Sequence, residues 1–331
     1  MNVLITGGAG FIGSHLAERC LAEGWRVAVL DDLSTGAIDN IAHLTNKPAF
    51  SCTIDSVFNR PVVAMRVDAA DYIFHLAATV GVQQVVNKPL RTIENNLRGA
   101  EVVLQCAAMK GKPVMLASTS EVYGKSRRLP FREDDDLVLG PTSVRRWAYA
   151  ASKIMDEAWA LSYWWEQALP VTIVRLFNTA GPRQLGRYGM VLPRFVQQAL
   201  AGEPVTVHKD GKQRRCFSYV GDVVEALVRL AQTPAAAGEV VNIGNDQEVS
   251  INELAELVKE LTGSPSPLEY QTYAAAYGPG FEDMERRVPC LEKLERLVHY
   301  RPATPLEAIV RRVVDYEWVR QMSKRPLAAP V

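Results

Sequence analysis

The sequence predicts an α/β protein, a doubly wound parallel sheet with a smaller α/β lobe toward the C-terminus. Three observations carry that expectation. Short apolar runs alternate with helical stretches from the first residue. The first of these runs opens directly onto a glycine cluster and then a helix. The length of 331 residues leaves room for one large domain and a smaller companion. Alternation of this kind implies parallel strands joined by crossover helices.

Taken in order, Asn2–Thr6 predicts a strand, Phe11–Glu23 a helix and Arg26–Leu30 a second strand. Tyr72–Leu76 and Pro113–Ala117 are further short apolar strands, with a helical pattern over Asn96–Met109 between them. After about Gly181 the texture changes. Gly and Pro become more frequent, and Arg183, Arg187, Arg194, Arg214 and Arg215 appear in loops. Asp222–Ala231 is again helical and Val240–Ile243 strand-like. Ile251–Leu261 reads as an amphipathic helix opened by Ser250, with Glu253 three residues on, the pattern of a capping box. The chain thus divides into a sheet domain over 1–180, completed by parts of 216–245, and a lobe formed mainly by 181–331. The last ten residues contain proline and are expected to fray.

Composition narrows the function. Lys plus Arg and Asp plus Glu both total 37, which argues against a broad nucleic-acid surface. The five cysteines, Cys20, Cys52, Cys106, Cys216 and Cys290, form no CxxC pair. They therefore read as reduced thiols of a cytoplasmic protein, with no metal site. Met1–Ile5 is too short for a signal peptide, and no run approaches the ~20 apolar residues that span a bilayer. Trp159, Trp164 and Trp165 read as one packed helix face.

Gly7, Gly10 and Gly13 follow a GxxGxxG spacing between the first strand and the first helix. In that position the glycines allow a tight turn, a close approach of backbone to a pyrophosphate and close helix–sheet packing. The helix N-terminus then offers free N–H groups to the anion. The second strand ends at Asp31, 18 positions after Gly13. A carboxylate there accepts hydrogen bonds from ribose hydroxyls and repels a 2′-phosphate, which selects NAD over NADP. The sheet is therefore expected to be Rossmann-type.

Tyr149 and Lys153 stand four residues apart, on one face of a helix. An ammonium near a phenol favours the phenolate, which can take a proton from a substrate hydroxyl. Ser118–Gly124 (STSEVYG) follows the strand at Pro113–Ala117. It would lie at the carboxyl end of the sheet, where ligands of open α/β folds bind.

These motifs resemble the extended short-chain dehydrogenase/reductases that act on nucleotide sugars as epimerases, dehydratases and decarboxylases. The matching segments are Thr6–Gly13 (TGGAGFIG), His75–Ala78 (HLAA), Asn96, Ser118–Gly124, Tyr149–Lys153 and Arg175–Arg183 (RLFNTAGPR). The resemblance implies NAD contacts from Phe11 and Ile12 beside the three glycines, from Leu76, Ala77, Ala78 and Asn96, and from Lys153 on the nicotinamide ribose. It implies that Thr119 bonds the reacting hydroxyl beside Tyr149. Asn178 and Arg215 would contact the substrate diphosphate, with Arg187 and Tyr188 near the nucleotide. The substrate would be a UDP-sugar, and the protein a homodimer formed through Asn96–Met109 and Tyr149–Glu166.

Oxidation at C4 is common to that group, and the step after it varies. Ser120 and Glu121 follow Thr119 as they do in UDP-glucuronate decarboxylases. Leu139–Lys153 and Tyr277–Pro289 resemble the decarboxylase domain of a bifunctional aminoarabinose-lipid enzyme, with Arg287 at its catalytic arginine. UDP-glucuronate decarboxylation is thus the first expectation. A UDP-sugar 4-epimerase acting on UDP-glucose or UDP-glucuronate is the alternative, and a non-catalytic NAD-binding scaffold a second. Dehydratases place an aspartate where Ser120 stands. Tyr149→Phe should abolish turnover while NAD still binds, because only the proton-accepting oxygen is lost; near-normal turnover in that variant would reject Tyr149 as the base.

Overall fold

The computed structural model describes residues 1–186, 189–278 and 281–322. Strand β1 (Asn2–Thr6) leads into helix α1 (Phe11–Ala22), followed by β2 (Arg26–Asp31), β3 (Phe50–Ile54) and α2 (Arg60–Asp68). Next come β4 (Tyr72–His75), α3 (Val82–Asn87), α4 (Pro89–Lys110), β5 (Val114–Thr119), α5 (Trp147–Gln167) and β6 (Val171–Leu176). The chain continues through β7 (Thr179–Ala180), α6 (Val191–Ala201), β8 (Val205–His208), β9 (Arg214–Cys216), β10 (Ser218–Tyr219) and α7 (Val220–Ala231). It ends with β11 (Val240–Ile243), β12 (Glu248–Ser250), α8 (Ile251–Thr262), β13 (Leu268–Gln271), α9 (Tyr273–Tyr277), α10 (Glu292–Val298) and α11 (Leu306–Met322).

Among the described residues, seven strands form one sheet in the order β3-β2-β1-β4-β5-β6-β11, with every pairing parallel. The Rossmann-type doubly wound sheet is therefore present. Its inner strands are largely apolar on both faces because helices cover both. Val3 and Ile5 of β1 join a core with α1, α7 and α10, while Leu4 between them joins a second core with α2, α4 and α5. A third core, built from α6, α8, α11 and β8, belongs to the lobe. Short pairs β9–β12 (antiparallel) and β8–β13 (parallel) brace that lobe. None of the described helices is long and apolar enough to cross a membrane.

Local chemistry sets the element ends. Ser250 and Glu253 form the expected capping box at the start of α8. Helix α4 begins at Pro89, seven residues before the expected Asn96, because proline suits the first helical turn, where its missing N–H costs nothing. The helix stops at Gly111, which adopts φ +60°. The three tryptophans of α5 do not share one packed face. Trp159 and Trp164 pack on the second core, but Trp165 is 70% exposed.

The glycine turn is held by contacts that leave no room for side chains. Gly7 sits at φ +73°, and a Cβ there would lie 2.8 Å from the Ala77 nitrogen. A Cβ on Gly13 would run into the Gly7 carbonyl and stand 2.7 Å from the Gly8 Cα. Both neighbours are backbone, so α1 and the turn must separate to admit it. Gly13→Ala should therefore lower stability by about 1–3 kcal/mol, the usual cost of overpacking. Urea unfolding checks this, and a variant within about 0.5 kcal/mol of wild type would show that the close approach is dispensable.

Candidate active site

A cavity of about 460 Å³ runs along the carboxyl ends of the sheet strands and into the lobe. Gly7, Gly10, Phe11, Ile12, Gly13 and Asp31 line one end. The Asp31 carboxylate accepts from the backbone N–H of Ala9 and of Leu33, each at 2.8 Å. Burial raises its pKa, and those two N–H groups oppose the rise. The turn is thus bare of side chains at its glycines and ends in a fixed acceptor, as a dinucleotide requires. Leu76, Ala77 and Ala78 line the adjoining wall.

Asn96 does not line the cavity. Its Oδ1 accepts from the Thr79 N–H at 2.8 Å and its Nδ2 donates to Ser152 Oγ at 3.0 Å. Both ends of the amide are thereby used in tying the loop after β4 to α5.

The other end of the cavity carries the reactive groups. Strand β5 delivers Thr119, the following turn supplies Ser120 and Glu121, and α5 supplies Tyr149 and Lys153. Thr119 Oγ1 accepts from the Glu121 N–H at 3.2 Å and is hydrogen-bonded to the Tyr149 phenol. The expected acidification of Tyr149 by Lys153 is not what the protein's own groups produce. Burial first, then the negative charge of Glu121, push the phenol above its ordinary pKa, while the Thr119 hydrogen bond and Arg287 pull it down. The Lys153 ammonium is 2.9 Å from Asp156 Oδ2, a residue one turn further along α5.

Beside Tyr149 lies a buried ion cluster whose centre the sequence does not reveal. Arg146, 2% exposed, reaches Glu121 Oε2 at 2.8 Å and Asp283 Oδ1 at 2.6 Å. Arg287 reaches Glu121 Oε1 at 3.3 Å and Asp283 Oδ1 at 3.2 Å. Arg215 Nη2 reaches Asp283 Oδ2 at 2.8 Å, and its two Nη groups also donate to the carbonyls of Arg214, Met284 and Glu285. Three guanidinium groups thus face two carboxylates, leaving one net positive charge. The Nε atoms of Arg146 and Arg287 are buried with no hydrogen-bond partner among the described residues. Burial alone would raise the pKa of Glu121 and of Asp283. The arginines outweigh it and hold both carboxyls below the usual range, Asp283 far below.

Arg146 and Asp283 are missing from the residues selected by sequence. Arg146 lies three positions before Tyr149, and Asp283 four before Arg287; both spacings were available as signals. Asn178 lines the cavity, with its Nδ2 on the Cys216 carbonyl at 3.3 Å. Arg187 and Tyr188 lie outside the described residues.

Comparison with known proteins follows the same lines. The sequence model described as "NAD dependent epimerase/dehydratase family" matches residues 3–244. A UDP-N-acetyl-alpha-D-glucosaminuronate decarboxylase of Bacillus cytotoxicus is 41% identical over 96% of this chain and 98% of its own. UDP-glucuronic acid decarboxylase 1 of Xenopus tropicalis is 34% identical over 95% of this chain and 72% of its own. Among solved structures, a UDP-glucuronic acid 4-epimerase from Bacillus cereus, in complex with UDP-glucuronic acid and NAD, superposes with a TM-score of 0.87. It is 26% identical, covering 97% of this chain and all of that one.

The cluster makes a stability prediction. Removing one partner of a buried ion pair leaves uncompensated charge, so Arg146→Met should cost about 3–5 kcal/mol in denaturant unfolding. Because Glu121 and Asp283 have depressed folded-state pKa values, their contribution is complete above the ordinary carboxylate range and is lost as pH falls through the folded values. Wild-type stability should therefore decline on acidification below about pH 4, and the gap to Arg146→Met should narrow. A gap independent of pH would assign the loss to packing.

Proposed function

Since this chain belongs to the NAD-dependent epimerase/dehydratase family, we propose that it decarboxylates a UDP-uronic acid through a transient 4-keto intermediate, with NAD held at Gly7–Gly13 and Asp31. The observation that carries this reading is the buried cluster of Glu121, Arg146, Arg215, Arg287 and Asp283 against Tyr149, with its one surplus positive charge. A neutral hexose has no group to match it, whereas a C5 carboxylate does. The relatives named as decarboxylases of UDP-glucuronate and of its 2-acetamido counterpart support the same class.

The roles follow from position. Tyr149 accepts the proton of the C4 hydroxyl, and Thr119 shares a hydrogen bond with the phenol so that the hydroxyl meets it in one orientation. Bound NAD supplies the hydride acceptor and a positively charged ring. Once C4 is a ketone, the C6 carboxyl is a β-keto acid. The C5–C6 bond breaks, carbon dioxide leaves, and the bonding electrons pass to the C4 oxygen as an enolate. A proton must then return to C5. Arg287 binds the carboxylate and, with Glu121, orients a solvent water that gives this proton to C5. Asn178 and Arg215 flank the cavity where the diphosphate would lie.

Epimerisation at C4 is the second reading. The Bacillus cereus structural neighbour favours it, because a uronate epimerase also needs a cation for the carboxylate. We also infer a homodimer through α4 and α5, where Leu90, Met109, Met155 and Trp165 stay exposed.

Incubation with UDP-glucuronate, UDP-N-acetylglucosaminuronate and UDP-glucose separates the readings. A mass loss equal to one carbon dioxide identifies decarboxylation. Unchanged mass with an inverted C4 proton in the NMR spectrum identifies the epimerase. Glu121→Gln should slow carbon dioxide release about a hundredfold while 4-keto sugar still forms; equal loss of both would leave Glu121 with a binding role only.

A further inference from the structure

The ion pair on α5 has no place in the mechanism above. Asp156 is 0% exposed and lies one turn beyond Lys153. Its Oδ2 accepts from Lys153 Nζ at 2.9 Å, and Lys153 is itself buried. Its Oδ1 has no hydrogen-bond partner among the described residues. A dry carboxylate with one free oxygen is costly to hold ionised unless a cation stands against it.

We propose that Asp156 is a positioning residue that holds the Lys153 ammonium and offsets its charge, thereby setting the pH at which Tyr149 releases its proton. This inference rests on Tyr149 being the proton-accepting group. An isolated ammonium near a phenol would draw the proton off strongly, whereas an ammonium paired with a buried carboxylate presents only a dipole. The sequence pattern of tyrosine and lysine is thus extended to a Tyr149–Lys153–Asp156 triad on one helix.

Other groups act on the phenol beside this pair, and burial and Glu121 act more strongly than Asp156. His75 of β4 faces Lys153 but is held neutral, its pKa pushed down to about 3 by burial and by Lys153 itself. Its Nδ1 is 2.8 Å from Thr6 Oγ1. From the turn after β5, Glu121 raises the phenol's pKa; from the segment before α10, Arg287 lowers it. Those two charges are paired with each other and with Arg146 and Asp283. Asp156 adds a further upward push on the phenol from its own helix.

The test is an ultraviolet titration of tyrosinate in the NAD-loaded protein, taken as the difference between each protein and its Tyr149→Phe counterpart. Wild type, Asp156→Asn, Asp156→Ser and Asp156→Glu are compared. The two neutral variants should lower the Tyr149 midpoint by about one pH unit, and Asp156→Glu should leave it within a few tenths. The acid limb of the pH–rate profile should move the same way. A midpoint unchanged or raised in the neutral variants would overturn the proposal, as would an equal shift with Glu. Failure of both neutral variants to fold would overturn it too, by making the carboxylate a structural requirement. The titration needs no substrate, so its failure would leave the decarboxylase reading standing, and a failed product assay would leave the titration result standing.

Discussion

One carboxylate organises the reactive end of this molecule. Asp283 sits where three arginines from separate parts of the chain meet: Arg146 at the start of α5, Arg215 on β9 of the lobe, and Arg287 on the segment leading to α10. Each guanidinium would repel the others in a dry site. Asp283 and Glu121 together make their approach possible, at the cost of desolvating five charges. The outcome is a set of ion pairs that ties the start of α5 and the turn after β5 to β9 and the segment before α10.

The packing around that cluster keeps it dry. Tyr123, Phe131, Trp147, Phe177 and Met284 form an apolar cluster next to it, with Tyr123 and Phe131 stacked at 4.6 Å. Asn242 at the end of the sheet accepts from the Tyr123 hydroxyl and donates to the Phe131 carbonyl. On the far side Glu157 binds Arg175 and accepts from the Ser118 hydroxyl, so the end of β5 that bears Thr119 is anchored by charge as well as by apolar contact. In such surroundings electrostatic effects are stronger than at a surface, which is why the partner chosen by each ionised group matters so much here.

The sheet and its glycine turn were legible because they rest on local rules. Apolar strands, helix caps and a turn that admits no side chain all leave marks within a few residues. Strand β3 and helix α2 escape apolar periodicity. β3 is an edge strand of mixed polarity, and α2 (RPVVAMRVD) buries only Val63 and Val67. At the site, Tyr149, Thr119, Glu121 and Arg287 were readable from motifs. Their partners were less so: Glu121 and Arg287 are separated by 166 residues, Arg146 and Asp283 by 137. The orientation of the Lys153 ammonium toward Asp156 depends on how α5 lies against β4 and β5, which no spacing rule conveys. Asn96 was recognisable as special, but its role depends on which two groups flank it in space.

The order of strands has a bearing on biosynthesis. β11 closes the sheet beside β6, yet it is drawn from residues 240–243, after the chain has already passed through much of the lobe. During translation the edge of β6 away from β5 must therefore wait for its partner while some sixty further residues emerge. An apolar strand left open in this way is a template for pairing with a neighbouring nascent chain. The interval between β6 and β11 is thus one in which a sheet edge covered in the finished fold stands open.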